Sequence, residues 1–240
     1  MAALASPVLR PAQAERAREG AAKREAFEAL KAALNARGQL PSVQADGLIP
    51  TAVPQLDELL GGGLPPGSVA AVEGAAGRWS LAAGIVAGIT RRSLVAILDD
   101  GALYPPALAE AGARLDRIMI VPAGTPYANL RAVDLLLRAR VCRMVLMPAV
   151  PVRDAVWTRL AKLAHRSGVV LLVIAARAGA SLRASAELCV HCSAERVAMR
   201  GSHGLWSNFS GFELCVGVGK HRHMLCGQTA YMDARLREVQ

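Results

Sequence analysis

Short apolar runs alternate with stretches of helical periodicity through the middle of the chain. Each run has the length and the Val, Ile and Leu content of a buried strand. Val69 and Val72 mark the first strand, which ends at Gly74, and the others are predicted at 93–98, 117–121, 143–147 and 169–175. Between them, apolar residues recur at helical spacing at 81–89, 103–112, 128–140 and 153–166. This alternation predicts an α/β fold whose mostly parallel sheet has helices on both faces.

The pattern changes in the last quarter of the chain. Between Glu187 and Gln228 the apolar or alternating runs become short, and Gly and Ser separate them. Such spacing is typical of antiparallel hairpins, so we expect them to extend the C-terminal end of the sheet. The predicted strands are 188–192, 197–199, 212–218 and 224–226.

The N-terminal region has a different composition from the rest. Residues 10–37 are rich in Ala, Arg, Glu and Lys, and Phe27, Leu30 and Leu34 form one narrow apolar seam at helical spacing. The seam predicts a helix that binds a core or a neighbouring subunit, or else a frayed helix without a partner. We therefore divide the chain into an N-terminal helical arm and linker at 1–45, a core at 46–232 and a tail at 233–240.

Charge and cysteine content narrow the class of protein. The formal net charge is +9 and the pI about 9.9, which favours an acidic partner such as nucleic acid or reflects the solubility of an Arg-rich chain. Residues 1–20 show no secretory signal, and no apolar run is long enough to cross a bilayer. Five cysteines, an odd number, favour reduced thiols, so we expect a cytoplasmic protein without a membrane partner.

A glycine loop between the first strand and the following helix is the candidate binding site. This arrangement presents backbone N–H groups to a phosphate, but a working loop has four residues between its glycines, followed by Lys and Ser or Thr. Here only two residues separate Gly74 from Gly77, Arg78 replaces the lysine, and Trp79 stands in place of the hydroxyl that binds magnesium, before Ser80. The loop is therefore predicted to be degenerate, and no cofactor is expected.

Two further clusters suggest chemistry and also have simpler explanations. Cys189 and Cys192 have metal-ligand spacing, but on a strand they point to opposite faces, so buried thiols are the better explanation and no metal is expected. The segment from Arg200 to Trp206 mixes a cation, glycines and an aromatic residue, which suits stacking on single-stranded nucleic acid. The alternative interpretation is a hairpin tip with one buried aromatic side chain.

Three motifs together resemble the core of RecA-type ATPases over residues 46–230. They are Leu56-Asp-x-x-Leu-Gly-Gly-Gly-Leu-Pro-x-Gly67, the strand end Ile97-Leu-Asp-Asp100, and Lys220-His-Arg222 after an apolar run. The resemblance implies a RecA-like core. It also implies that Asp100 occupies the position of the catalytic carboxylate, which is vestigial beside a degenerate loop, and that Lys220 and Arg222 reach toward a neighbouring subunit.

The chain departs from the RecA pattern at the positions that serve catalysis. Met147-Pro148 replaces the aspartate that organises magnesium, Ala175-Ala-Arg177 replaces the glutamine that senses the γ-phosphate, and the connections 149–153 and 178–186 are too short for DNA-binding loops. With an N-terminal helix and these losses, the chain resembles the ImuA family of RecA-like accessory proteins.

The ImuA resemblance implies a non-catalytic adaptor in SOS-induced translesion synthesis. The expected partners are ImuB, an inactive polymerase homologue, an error-prone C-family polymerase, and RecA filaments. Weak, sequence-independent DNA binding by Arg200, Lys220 and Arg222 is a further expectation. Two alternatives stay open: a divergent RecA/KaiC-type repair ATPase, and a stress-induced cell-division inhibitor.

Overall fold

The computed structural model describes most of the chain after residue 46. The described ranges are 47–101, 103–122, 124–200, 208–222 and 226–233, together with Glu25 and Ala29, which are both helical. Residues 1–40 and 41–240 form two compact units. The apolar seam of Phe27, Leu30 and Leu34 lies outside the described residues, as do Trp206 and all but the first residue of the tail. In the described ranges, no helix combines the length and the apolar character that a bilayer crossing requires.

Eight strands form one sheet in the order β3-β2-β4-β5-β1-β6-β7-β8. The first six strands are parallel where they pair, and β7 and β8 are antiparallel to their neighbours. The strand bounds are β1 Val69–Glu73, β2 Val95–Asp99, β3 Ile118–Pro122, β4 Met144–Pro148, β5 Val170–Ala175, β6 Leu188–Arg200, β7 Asn208–His221 and β8 Thr229–Asp233. The mixed α/β sheet predicted from the sequence is therefore confirmed.

The C-terminal strands differ from the sequence prediction in three respects. The start of β6 runs parallel to β1, with Ala70 opposite Leu188, so the sheet turns antiparallel only at the β6–β7 hairpin. The runs predicted at 188–192 and 197–199 belong to one continuous strand, because β6 pairs with β1 over its first residues and with β7 along most of its length. The third is β8, a strand that the sequence pattern did not predict; of the run predicted at 224–226 only Cys226 is described, and it lies in a bend before β8.

Six helices lie in the described core: the first precedes β1 and the other five connect successive strands. They are α1 Pro54–Leu59, α2 Arg78–Thr90, α3 Pro105–Glu110, α4 Pro126–Ala139, α5 Asp154–Ser167 and α6 Ala180–Ser185, and a short 3₁₀ turn spans Leu115–Arg117. The local sequence fixes their ends. Thr125 accepts a hydrogen bond from the Ala128 N–H at the start of α4, Arg140 ends α4 at φ 53°, and Gly168 ends α5 at φ 73°.

Helices cover both faces of the sheet. Successive residues of a strand point to opposite faces, and every residue of β5 is buried. Val170, Leu172 and Ile174 belong to the core that α2 covers, whereas Leu171 and Val173 face the other side. That second face is covered by α4 and α5, whose buried side chains lie outside the α2 core.

The short segment before α1 packs against α2. Asp57 accepts hydrogen bonds from the Thr51 N–H (2.7 Å), the Thr51 hydroxyl (2.7 Å) and the Ala52 N–H (3.1 Å), and so holds the segment in place. A Cβ atom on Gly88 of α2 would lie 1.9 Å from the Thr51 carbonyl oxygen. This contact leaves no room for any side chain at position 88, so backbone and helix pack directly on each other.

Candidate functional site

The glycine loop lies at the carboxyl end of β1 and is pressed against β6 and β7. A Cβ atom on Gly74 would come within 1.9 Å of the Cys192 carbonyl oxygen, and one on Gly77 within 2.6 Å of a Leu214 methyl carbon. The Gly74 N–H donates to the Ala175 carbonyl at 3.1 Å, which continues the β1–β5 pairing past the strand end. Gly77 has φ 79° and immediately precedes α2. The loop is therefore packed tightly on its neighbouring strands.

Arg78 uses its guanidinium to close this loop from within. Its Nη1 donates to the Gly74 and Ala75 carbonyl oxygens, both at 2.8 Å. A phosphate-binding loop presents N–H groups and a cation to an anion. In this loop the Arg78 guanidinium already donates to two carbonyl oxygens, so its positive charge interacts with the backbone of the loop itself.

The two residues after Arg78 provide no magnesium ligand of the usual kind. Trp79 is half-buried and packs against the α2 core, and its indole offers only an N–H donor. Ser80 carries a hydroxyl but lies one helix position beyond the place where that ligand is expected. The first turn of α2 thus contributes packing where a nucleotide loop contributes coordination.

The two carboxylates at the end of β2, Asp99 and Asp100, have different surroundings. Asp99 Oδ1 accepts hydrogen bonds from the Gly101 N–H at 2.9 Å and the Leu103 N–H at 3.0 Å, which makes it the residue that shapes the turn. Asp100 is exposed. Its neighbours on the same edge of the sheet are Pro148, at the end of β4, and Ala175, at the end of β5.

Sequence reasoning missed Glu73, the last residue of β1. Its carboxylate is 10% exposed and accepts hydrogen bonds from the Ala178 N–H (2.7 Å) and from Arg183 Nη2 (2.7 and 2.8 Å to its two oxygens). His191 Nδ1 lies 3.9 Å away. The only signal in the sequence was a charged residue at the end of an otherwise apolar strand.

The surroundings of Glu73 keep it ionised. Burial raises the pKa of this carboxyl, but the Arg183 and Ala178 hydrogen bonds and the nearby positive charges outweigh burial, and the pKa lies below its ordinary value. Glu73 therefore fixes the chain after β5 to the end of β1. This segment contains α6, and it lies at the position where the RecA resemblance predicts a DNA-binding loop.

Lys220 and Arg222, the two cations predicted to reach a neighbour, both have partners within the chain. Lys220 Nζ donates to the carbonyl oxygens of Arg183 (2.7 Å) and Ala184 (3.2 Å), where it binds the C-terminal end of α6. Arg222 Nη1 lies 3.4 Å from Glu187 Oε1. Both side chains thus support the edge formed by α6 and β6.

Of the remaining candidates, Cys189 lies beside this group, because it is the register partner of Lys220 across β6 and β7 and interacts with the charges of Glu73 and Arg183. Arg200 ends β6, its side chain lies outside the described residues, and so does Trp206. Cys189 and Cys192 are buried on β6, and burial raises the pKa of both thiols, that of Cys192 to about 11. Across the described ranges, no group of three or more His, Cys, Asp or Glu side chains could hold a metal ion.

Comparison with known proteins places the chain in a family. The family described as the MT3502 N-terminal domain matches residues 58–179, just over half of the 240 residues, from α1 through β5. The chain belongs to the MT3502 N-terminal domain family. No match was found among curated proteins.

A solved structure confirms the fold of this MT3502-family chain. The crystal structure of the RadB recombinase is similar to it with a TM-score of 0.64 and 19% sequence identity, over 80% of this chain and all of that one. At this identity the likeness concerns the fold alone, and the predicted RecA-like core is confirmed. The MT3502-family chain therefore has a RecA-like sheet, and its glycine loop is packed on the neighbouring strands and bonded to its own Arg78.

Proposed function

We propose that this protein is a non-catalytic RecA-fold adaptor in damage-induced translesion DNA synthesis. The observation that carries the proposal is the closed glycine loop, in which Arg78 binds two loop carbonyls. A RecA-like core that does not bind or hydrolyse nucleotide still has a large, rigid surface, and such a surface can bind other proteins. The proposed partners are an ImuB-like polymerase homologue and an error-prone C-family polymerase.

The edge of the sheet supports the non-catalytic part of the proposal. Phosphoryl transfer needs a cation on the β- and γ-phosphates, a magnesium ion and an oriented water. Here Arg78 is engaged in the loop, Trp79 stands where the hydroxyl ligand belongs, and Pro148 ends β4 without a carboxylate. The Asp100 carboxylate can orient a water, but it supplies neither the phosphate-binding cation nor the remaining magnesium ligands.

Nucleotide binding tests this directly. We expect no saturable ATP binding and no hydrolysis above background, measured by equilibrium dialysis and phosphate release at millimolar Mg-ATP. Arg78→Lys/Trp79→Thr restores the missing side chains without lengthening the loop, and we expect it to stay inactive as well. Turnover by the wild type that disappears in Asp100→Ala would contradict the adaptor proposal and favour a divergent ATPase.

Partner capture tests the second half. We expect the polymerase homologue and the error-prone polymerase to co-purify with the full chain after DNA damage. Recovery of division proteins without a polymerase would favour the cell-division alternative.

RecA filaments are a further proposed partner. Because Lys220 and Arg222 already have acceptors in the chain, a RecA contact through them requires exchange of those acceptors. Lys220→Ala/Arg222→Ala should therefore weaken capture of nucleotide-bound RecA filaments. Equal capture by the wild type and this variant would place any RecA contact elsewhere.

A further inference from the structure

A basic groove lies between the solvent-facing sides of α4 and α5, and none of its residues belongs to the glycine loop. Four cationic side chains line a cavity of about 370 Å³, together with Ala155, Thr158 and Leu163. The cations are Arg138 of α4 and Arg159, Lys162 and Arg166 of α5. We call this surface the α4–α5 groove.

The helical repeat explains why the cations gather there. Arg159, Lys162 and Arg166 are spaced at i, i+3 and i+7, so they share one face of α5. Trp157 and Leu160 occupy the opposite, buried face. The α5 helix is thus anchored to the sheet by its apolar side and presents a straight row of positive charge to solvent.

One carboxylate fixes the two arginines that face each other across the groove. Asp134 accepts from Arg138 Nε at 2.7 Å and from Arg159 Nη2 at 2.8 Å. Burial raises the pKa of Asp134, but these two arginines outweigh burial and lower it, so the carboxylate is charged. Each guanidinium still has N–H donors that are not used by Asp134.

The groove keeps a large excess of positive charge. Four cations line the groove and Asp134 pairs with two of them, which leaves an excess of three positive charges. Arg140 does not line the groove, but its Nη2 donates to the Arg166 carbonyl oxygen at 2.5 Å at the end of α5. In the described part of the chain, Lys162 and Arg166 show no ion pair, and both are exposed.

We propose that the α4–α5 groove binds the phosphate backbone of nucleic acid. From Arg159 to Arg166 the row extends about 10 Å along α5, since the helix rises about 1.5 Å per residue. That length corresponds to roughly three phosphates of one duplex strand at about 3.4 Å each. The fixed guanidinium forks of Arg138 and Arg159 suit the bidentate recognition of phosphate oxygens.

The composition of the groove also predicts how the nucleic acid is bound. No aromatic side chain lines the groove, so stacking on bases makes no contribution there. Contacts to phosphate carry no sequence information, and binding is therefore salt-dependent and independent of sequence. The site differs from Lys220 and Arg222, and it does not require the adaptor role.

The test measures binding of a fluorescent single strand and a fluorescent duplex by anisotropy over a salt series. The test variant is Lys162→Gln/Arg166→Gln, and the charge-matched control is Arg91→Gln/Arg92→Gln, two exposed cations at the end of α2. Glutamine keeps the helix propensity of Lys and Arg, and a thermal melt checks folding. We expect the groove variant to bind at least about fivefold more weakly at 50 mM salt, with a duplex salt slope shallower by about 1.8.

Several results would overturn the proposal. They are the absence of wild-type binding at low salt, an equal loss in both variants, and unchanged binding by the groove variant. Binding of anionic vesicles or of an acidic peptide, but not of DNA, would assign the groove to another class of partner. Photocrosslinking of a 4-thiothymidine strand gives an independent readout, and we expect the cross-linked peptides to come from α4 and α5.

Discussion

The replacement Glu73→Gln tests whether the buried carboxylate holds the end of β1 to the chain after β5. Glutamine has the shape of glutamate but only one acceptor oxygen, and its amide nitrogen is a donor. The two oxygens of Glu73 receive hydrogen bonds from the Ala178 N–H and from Arg183. In the variant, one of these donors must face another donor.

The contacts set the size of the effect. A hydrogen bond to a charged group stabilises a fold by about 1.5–3 kcal/mol, and leaving a buried donor unpaired costs a similar amount. The Ala178 bond is buried, whereas the Arg183 side chain is about half exposed, so water screens that part of the interaction. We therefore expect Glu73→Gln to lower the free energy of unfolding by about 2 kcal/mol at pH 7.

The pH dependence gives the effect its signature. The folded-state pKa of Glu73 lies below its ordinary value, so its contribution is complete above the unfolded-state pKa and is lost as the pH falls through the folded-state pKa. Urea unfolding of both proteins should therefore show a difference that is constant at neutral pH and shrinks below about pH 4.5.

An exposed carboxylate with an arginine partner provides the control. Asp116 pairs with Arg114 at the surface, and that hydrogen bond lowers the pKa of Asp116. Because both side chains are more than half exposed, Asp116→Asn should leave stability unchanged within the error of the measurement. A Glu73→Gln effect under about 0.5 kcal/mol at pH 7, or one that is the same at pH 7 and pH 3, would refute the reasoning.

Three other features give simpler tests. Gly88→Ala places a methyl group against the Thr51 carbonyl and should destabilise the fold by about 1–3 kcal/mol in urea unfolding, despite a helix-propensity gain of about 1 kcal/mol. Arg78→Ala removes two loop hydrogen bonds and should speed amide exchange in the loop, with a stability loss of about 1–2 kcal/mol. Burial raises the pKa of Cys142 to about 12, so a thiol reagent at pH 8 should react with the exposed Cys226 and spare Cys142 until the protein unfolds.

Two of these tests have a matched comparison variant. Gly179→Ala adds the same methyl group where no atom lies within 4 Å, so it should be close to neutral. Arg78→Lys keeps the charge but loses the planar fork, and should fall between the wild type and Arg78→Ala. A neutral Gly88→Ala, or rapid labelling of Cys142 in the native protein, would show that the core opens more readily than its packing implies.

Hydrophobic periodicity was sufficient for the parallel half of the sheet. The strands at 93–98, 117–121, 143–147 and 169–175 fall within two residues of β2, β3, β4 and β5, because each has a continuous apolar run. The runs of β2, β4 and β5 are buried, whereas the edge strand β3 is partly exposed. The helices α4 and α5 could also be predicted, because their buried sides follow the 3.6-residue repeat. The helix α2 is buried on most of its sides and was marked by its continuous apolar composition.

The C-terminal half could not be derived in the same way. In β6 the stretch Ser193-Ala-Glu-Arg196 is largely exposed, so no apolar alternation marks it as strand, and only pairing with β7 makes it one. The β8 strand at Thr229–Asp233 is short, and of its described side chains only Met232 is buried. Its pattern is therefore too weak to separate from the apolar residues just before it.

The sequence shows the substitutions in the glycine loop, but it does not show the contacts that surround the loop. The short loop and the substituted Arg78 and Trp79 can be seen directly in the sequence. The contacts of Glu73 cannot, because its partners Ala178 and Arg183 are 105 and 110 positions away in the chain. The same holds for Asp134, whose partner Arg159 is 25 positions away on another helix.

In the glycine loop, the Gly74 and Ala75 carbonyl oxygens compete with any entering anion for the Arg78 guanidinium. An anion that entered the loop would first have to displace Arg78 from the Gly74 and Ala75 carbonyls. If each hydrogen bond is worth about 0.5–1.5 kcal/mol, release costs about 1–3 kcal/mol. For an anion that needs the Nη1 donor, only the released fraction could bind, so the apparent dissociation constant would rise by a factor of about 5 to 150. Because both partners of this contact belong to one chain, its effect on an entering anion does not depend on the protein concentration.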